Sequence, residues 1–115
     1  MRDHTKLRAF KLADELALAV YKVTATLPRE ELFGLTSQMR RGAVSVASNI
    51  VEGCARRSDA EFAQFLATAY GSARELAYQL SLAGRLSYLS DYQVEALCDE
   101  TCRVLFGLLK AQRTE

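Results

Sequence analysis

The stretch Leu35-Thr36-Ser37-Gln38-Met39-Arg40-Arg41-Gly42-Ala43-Val44-Ser45-Val46-Ala47-Ser48-Asn49-Ile50-Val51-Glu52-Gly53 decides the fold. Its apolar members Leu35, Met39, Ala43, Val46 and Ile50 recur at steps of four, four, three and four, the spacing of one face of an α-helix. The pattern predicts a helix over 35–54, with Gly53 suited to a left-handed cap. No part of the chain sustains period-two alternation, so no sheet is expected.

The flanking sequence carries the same period. Upstream, Leu7, Phe10, Ala13, Ala17, Val20, Val23 or Thr24, and Leu27 keep helical steps, and Pro28, which lacks a backbone donor, sets a stop. A helix over 6–27 follows. Downstream, Ser58 and Glu61 have capping-box spacing ahead of Phe62, Phe65 or Leu66, Ala69, Ala73, Leu76, Leu80 and Ala83, predicting the longest helix over 59–87. Ser90 and Gln93 repeat the signal before Val94, Leu97, Thr101, Val104, Leu108 and Ala111, predicting a fourth helix over 91–112. Connections of about four to seven residues favour antiparallel neighbours. The expectation is an all-α, antiparallel up-down-up-down four-helix bundle, one domain spanning 1–115.

Composition bounds what such a bundle does. Half of the 115 residues are hydrophobic, enough for a real core. The net charge of +1 offers no global attraction to nucleic acid or an anionic membrane. Up to Arg57 there are ten basic and six acidic residues, and beyond it five and eight. This modest sign asymmetry fits head-to-tail contact between copies and equally fits a surface with no such role. No apolar run approaches the length of a membrane span, and the first residues do not lead into a secretory signal, so the cytoplasm is the expected compartment. Cys54, Cys98 and Cys102 form an odd set without CxxC spacing and read as buried thiols. His4, the only histidine, stands in what reads as a frayed terminus, so neither a metal site nor a cofactor is expected.

Catalytic ingredients are missing as well. Ser45, Ser48 and Ser72 have no histidine base beside them, neighbouring acids such as Asp99 and Glu100 point in different directions on a helix, and the glycines are isolated. The chain is not expected to be an enzyme.

What composition leaves unexplained is polar. Gln38, Arg41, Ser45, Ser48 or Asn49, and Glu52 make a stripe at steps of three and four beside the apolar face of the second helix. The third helix carries a matching stripe in Gln64, Thr68, Ser72, Glu75 and Gln79. A solvated face accounts for both. A hydrogen-bonded seam is the sharper reading, with Arg41 pairing with Glu75 and with Ser45 or Asn49 bonding across helices or subunits. Gly42 costs about 1 kcal/mol of helix propensity relative to alanine, so close packing is expected there. Tyr70, Tyr78, Tyr88 and Tyr92 combine an apolar ring with a hydroxyl that needs a partner, which suits a subunit boundary. Arg40, Arg41, Arg56 and Arg57 form a basic cluster able to hold phosphate, although base-stacking aromatics are not interleaved with it.

The run Phe33-Gly34-Leu35-Thr36-Ser37-Gln38-Met39-Arg40-Arg41 followed by Ser45-Val46-Ala47-Ser48-Asn49-Ile50-Val51-Glu52-Gly53 resembles the 23S rRNA intervening-sequence protein family, also called the four helix bundle protein family. Arg56, Phe62, Phe65-Leu66, Ala69, Gly71-Ser72, Glu75-Leu76, Gln79-Leu80 and Leu86 with Tyr88-Leu89 extend the likeness over nearly the whole chain. Ala9-Phe10 stands where a Val-Trp pair is common, Gly42 where alanine is, and Ala47 where proline is. The resemblance implies a bundle assembled into a ring-shaped homo-oligomer, typically a pentamer, in bacterial cytoplasm, and implies no reaction. The function expected is a non-enzymatic oligomeric scaffold with an unidentified protein partner. The alternative is a nucleic-acid-binding accessory factor whose arginine cluster is multiplied around the ring.

Overall fold

The computed structural model describes residues 1–113, with the side chain of Arg113 excepted; positions 114–115 of the expected domain lie outside the described residues. Four helices carry the fold: α1 (Arg8–Thr24), α2 (Leu35–Cys54), α3 (Asp59–Arg85) and α4 (Tyr92–Arg113). Short 3-10 turns at His4–Lys6 and Arg29–Glu31 precede α1 and α2, and the described residues contain no strand. Each helix packs on its two neighbours around a square, with α1 closing against α4, in a body of 45 × 21 × 19 Å. Contacts between α2 and α3 pair Gly42 with Gln79, Ser45 with Ser72 and Gly53 with Phe65, so one helix descends as the other rises. Gly84 with Glu95, Ala73 with Cys98 and Tyr70 with Phe106 show the same opposition between α3 and α4.

The core follows the apolar stripes of α2 and α3. Leu35, Met39, Ala43, Val46 and Ile50 meet Phe62, Leu66, Ala69, Ala73, Leu76, Leu80 and Ala83, and all are buried. Burying each large member contributes about 1.5–3 kcal/mol before chain entropy is counted. The phase of the outer helices differs from expectation. In α1 the buried set is Ala9, Leu12, Ala13, Leu16, Val20 and Thr24, while Leu7, Phe10 and Ala17 flank it. In α4 it is Val94, Cys98, Thr101, Cys102 and Leu105, while Leu97, Val104 and Leu108 are half-buried. Both helices carry apolar residues beyond one stripe, and packing selects the stripe that faces inward.

Helix ends also differ for local reasons. Asp3 caps the His4–Lys6 turn by accepting from the Thr5 amide at 3.0 Å, and extended Leu7 separates that turn from α1. The expected frayed terminus is instead tied down. The Arg2 amide donates to the Cys54 carbonyl at 2.8 Å, the Arg2 guanidinium pairs with Asp59 at 2.6 Å and lies over the Phe62 ring, and His4 meets Phe10 edge-on. At its far end α1 stops at Thr24, whose hydroxyl donates back to the Val20 carbonyl at 2.6 Å, before the chain turns into Pro28.

Ser58 caps α3 as its spacing predicts, accepting from the Glu61 amide at 3.1 Å. For α4 the cap is Asp91, not Ser90: its carboxylate accepts from the Gln93 amide at 2.8 Å. Gly53 is not a left-handed cap, because α2 runs on through it to Cys54 and no glycine has positive φ. It serves close approach. A Cβ at that position would lie 2.9 Å from the Cβ of Phe65 and 3.4 Å from the Phe62 carbonyl oxygen.

Candidate interaction surface

The polar stripes of α2 and α3 meet because the two helices run side by side with Ser45 opposite Ser72. The hydroxyls of these serines hydrogen-bond at 2.9 Å. Asn49 supports the pair from one turn further along, its side-chain amide donating to the Ser45 carbonyl at 2.8 Å and to the Ser45 hydroxyl at 3.0 Å. Toward the other end, the Gln79 amide donates to Gln38 Oε1 at 3.4 Å. Gln79 is 7% exposed, and its own Oε1 has no hydrogen-bond partner among the described residues. Gln38, Arg41, Gly42, Ser45, Ser72, Glu75 and Gln79 together line an open groove of about 310 Å³.

The expected ion pair between Arg41 and Glu75 does not form. Both side chains are exposed on the groove, and neither has an ion-pair partner among the described residues. Long side chains on facing helices reach solvent at little cost, and an exposed pair returns too little energy to hold them together. Ser48 is exposed, and Glu52 turns away from the groove to Arg56 at 3.3 Å. The seam is therefore built from Gln38, Ser45, Asn49, Ser72 and Gln79.

Nor do the four arginines form one cluster. Arg40 and Arg56 lie roughly 24 Å apart along the axis of α2 and its continuation. Arg40 is spent on the α1–α2 contact: its Nε donates to Thr24 Oγ1 at 2.9 Å and its guanidinium lies over the Tyr21 ring. Arg56 covers the Phe65 ring while pairing with Glu52. Arg41 and Arg57 are exposed and without an ion-pair partner among the described residues.

A second groove, of about 590 Å³, adjoins the first through Arg41 and Ser45, which line both. Its walls are Tyr21 from α1, Leu32 and Phe33 from the connection, and Thr36, Ser37, Arg40 and Val44 from α2. Phe33 is 93% exposed, and Tyr21, Leu32 and Val44 are exposed around it. Sequence pattern did not single these residues out, although adjacent Leu32 and Phe33 in an otherwise polar connection were a signal. Of the four tyrosines expected at a boundary, Tyr78 and Tyr92 are exposed. Tyr70 is half-buried against Phe106, and Tyr88 is half-buried with its hydroxyl on Glu31.

Glu31 holds this surface in place. One carboxylate oxygen accepts from the Leu35 amide at 3.1 Å, capping α2, and the other accepts from the Tyr88 hydroxyl at 3.1 Å. The Arg29–Glu31 turn, and with it Leu32 and Phe33, is thereby fixed to both α2 and the α3–α4 connection. None of the described helices is long and apolar enough to cross a membrane.

Comparison with known proteins places this geometry. A crystal structure of a protein of unknown function from the S23 ribosomal protein family of Bacteroides thetaiotaomicron superposes with a TM-score of 0.80 at 25% sequence identity, over 89% of this chain and 95% of that one. Comparison with curated proteins finds no match. A family model described as 23S rRNA-intervening sequence protein matches residues 5–109, nearly the whole bundle including both grooves. This chain belongs to the 23S rRNA-intervening sequence protein family.

Proposed function

We propose that the chain is a non-enzymatic scaffold of the cytoplasm that assembles with copies of itself into a closed ring, a pentamer by family resemblance, and presents that ring to a protein partner. The observation that carries this reading is Phe33, nearly fully exposed at the centre of a surface shared with Tyr21, Leu32 and Val44. Contiguous exposed apolar surface of this kind marks protein–protein contact. The adjoining polar groove supports the same use, since Arg41 and Glu75 stand there as opposite charges left open for a neighbouring copy. A contact joining two different faces closes into a ring when its rotation closes.

Light scattering and native mass spectrometry at micromolar concentration test the reading. The wild type is expected to be a closed oligomer of five subunits, and Phe33→Asp a monomer of unchanged helix content. A monomeric wild type would overturn the scaffold reading, and an oligomeric Phe33→Asp would overturn the assignment of the surface.

A nucleic-acid-binding accessory factor is the alternative. It rests on Arg41 and Arg57, the two arginines of the four that the subunit leaves exposed and unpaired among the described residues, multiplied around a ring. It requires salt-sensitive binding to structured RNA or duplex DNA at low ionic strength that weakens in Arg41→Gln/Arg57→Gln. Absence of such binding sinks it.

A further inference from the structure

The polar groove between α2 and α3 has two chemically different walls. Arg41 and Ser45 stand one turn apart on α2, Glu75 and Gln79 one turn apart on α3, and Gly42 lies between them. The α2 wall holds donors. Arg41 is exposed and has no ion-pair partner among the described residues. The Ser45 and Ser72 hydroxyls share one hydrogen bond, and Ser45 also accepts from Asn49, which leaves one hydroxyl proton without an acceptor among the described residues. The α3 wall holds acceptors. Glu75 is exposed and likewise without an ion-pair partner among the described residues. Gln79 is 7% exposed, and its Oε1 has no hydrogen-bond partner among them.

A buried amide oxygen without a donor is costly, and its surroundings show what would satisfy it. A Cβ at position 42 would stand 3.8 Å from Gln79 Oε1, so the absent side chain of Gly42 leaves the space in front of that oxygen open. The Gln79 amide is held by a single long bond, 3.4 Å, to exposed Gln38, and turning the amide toward the groove gives up little.

We propose that this groove binds a small zwitterion of the amino-acid type, its carboxylate on Arg41 and the free serine hydroxyl, its ammonium on Glu75 and Gln79 Oε1. Charge selects this class. A simple anion drawn to Arg41 meets Glu75, and a simple cation drawn to Glu75 meets Arg41, whereas a molecule carrying both signs satisfies both walls. The lining contains no aromatic or aliphatic side chain, which leaves nothing to stack a nucleobase or bury a lipid chain. At about 310 Å³ the groove is at the small end of the range for ligand sites.

One consequence rests on the scaffold reading. The same two charges are there left to a neighbouring copy, so zwitterion and neighbour compete, and the ligand loosens the ring.

The test is a titration of the isotope-labelled full chain, wild type and Phe33→Asp, with glycine, β-alanine and 4-aminobutanoate at low salt, followed by amide NMR. These three probes differ in the spacing of their charges. At least one is expected to bind in the millimolar range, with shifts centred on the Gly42 amide and the Gln79 side-chain amide, and acetate and methylammonium several-fold more weakly. Arg41→Gln and Glu75→Gln, which alter exposed side chains, should each weaken binding several-fold. Gly42→Ala should weaken it too, without loss of stability, a result that separates blocking of the notch from damage to the bundle. No binding by any of the three zwitterions, shifts centred elsewhere, acetate or methylammonium bound as tightly, or unchanged binding in Gly42→Ala would overturn the proposal. Light scattering of the wild type at saturating zwitterion reads the consequence separately. Binding with no shift toward smaller species supports the site and removes the groove from the assembly contact.

Discussion

Gly53 of α2 and Phe65 of α3 approach so closely that a Cβ on the glycine would lie 2.9 Å from the Cβ of the phenylalanine. That contact involves the root of a side chain, which cannot swing aside, and the Phe62 carbonyl oxygen stands 3.4 Å away on the other side. Gly53→Ala should therefore force α2 and α3 apart and destabilise the fold by about 1–3 kcal/mol. Gly42 is the opposite case, since its added Cβ would meet only Gln79 Oε1 at 3.8 Å and Leu76 Cβ at 3.9 Å, ordinary contact distances. Close packing does not account for this glycine, and Gly42→Ala should stabilise by about 1 kcal/mol through helix propensity. Urea denaturation of the two variants beside the wild type checks both signs.

The two glycines show where reading a sequence succeeds and where it stops. Period alone placed α2 and α3 on their core faces, because each carries one apolar stripe with polar residues on either side. It put the face of α4 out of phase because Leu97, Val104 and Leu108 form a second, half-buried stripe beside Val94, Cys98, Thr101, Cys102 and Leu105. The choice between two adjacent stripes is made by neighbouring helices, which a local pattern does not contain. The candidate surface divides likewise. Ser45, Ser72, Gln38 and Gln79 were legible as a seam from their spacing, whereas Phe33 reads as an ordinary apolar residue until its exposure is known. Arg41 and Glu75 were at the right height to pair, but height along a helix does not fix where a long side chain points.

Ser87 ends α3 at φ 64°, in the left-handed region that costs a non-glycine residue about 1–2 kcal/mol. Its amide donates to the Gly84 carbonyl at 3.0 Å, and the Tyr88 amide to the Ala83 carbonyl at 2.9 Å, the two bonds of a Schellman closure. The position after such a cap favours glycine. Ser87→Gly should raise stability by about 1 kcal/mol despite the extra freedom it gives the unfolded chain, and Ser87→Val should lower it. Thermal melts of both variants, with opposite shifts in Tm, are the check.

The hydrogen bond from Tyr88 to Glu31 raises the Tyr88 phenol above its usual value, with burial adding to the effect. A raised native value means that the protonated phenol is favoured by folding. Its stabilising contribution is thus complete below about pH 10, the ordinary value for tyrosine, and is lost as pH rises through the raised one. In an alkaline absorbance titration the Tyr88 phenol, identified by its loss in Tyr88→Phe, should ionise above its ordinary value, and Glu31→Gln should lower it. Because Glu31 also caps α2, that variant should lose stability at neutral pH too, while Tyr88→Phe should lose only the tyrosine's bond. A Tyr88 phenol that ionises at the ordinary value in the wild type would rule this out.

The serine pair and the open charges of the polar groove make separable contributions. Ser45 and Ser72 bond within one subunit, so a double-mutant cycle to alanine should yield a coupling of about 0.5–1.5 kcal/mol in chemical denaturation, the range for a net intramolecular hydrogen bond. Among the described residues Glu75 has no ion-pair partner, so Glu75→Lys should leave the stability of the isolated bundle within about 0.5 kcal/mol of the wild type. On the scaffold reading the same change places two cations side by side in a groove that meets another copy, where like charges repel. Light scattering of Glu75→Lys should show smaller species at low salt and partial recovery at high salt, as screening weakens the repulsion. The monomer background Phe33→Asp separates the two effects: there Glu75→Lys should change nothing. If it destabilises the monomer instead, Glu75 works within the bundle, and the groove's charges are not held open for a neighbour.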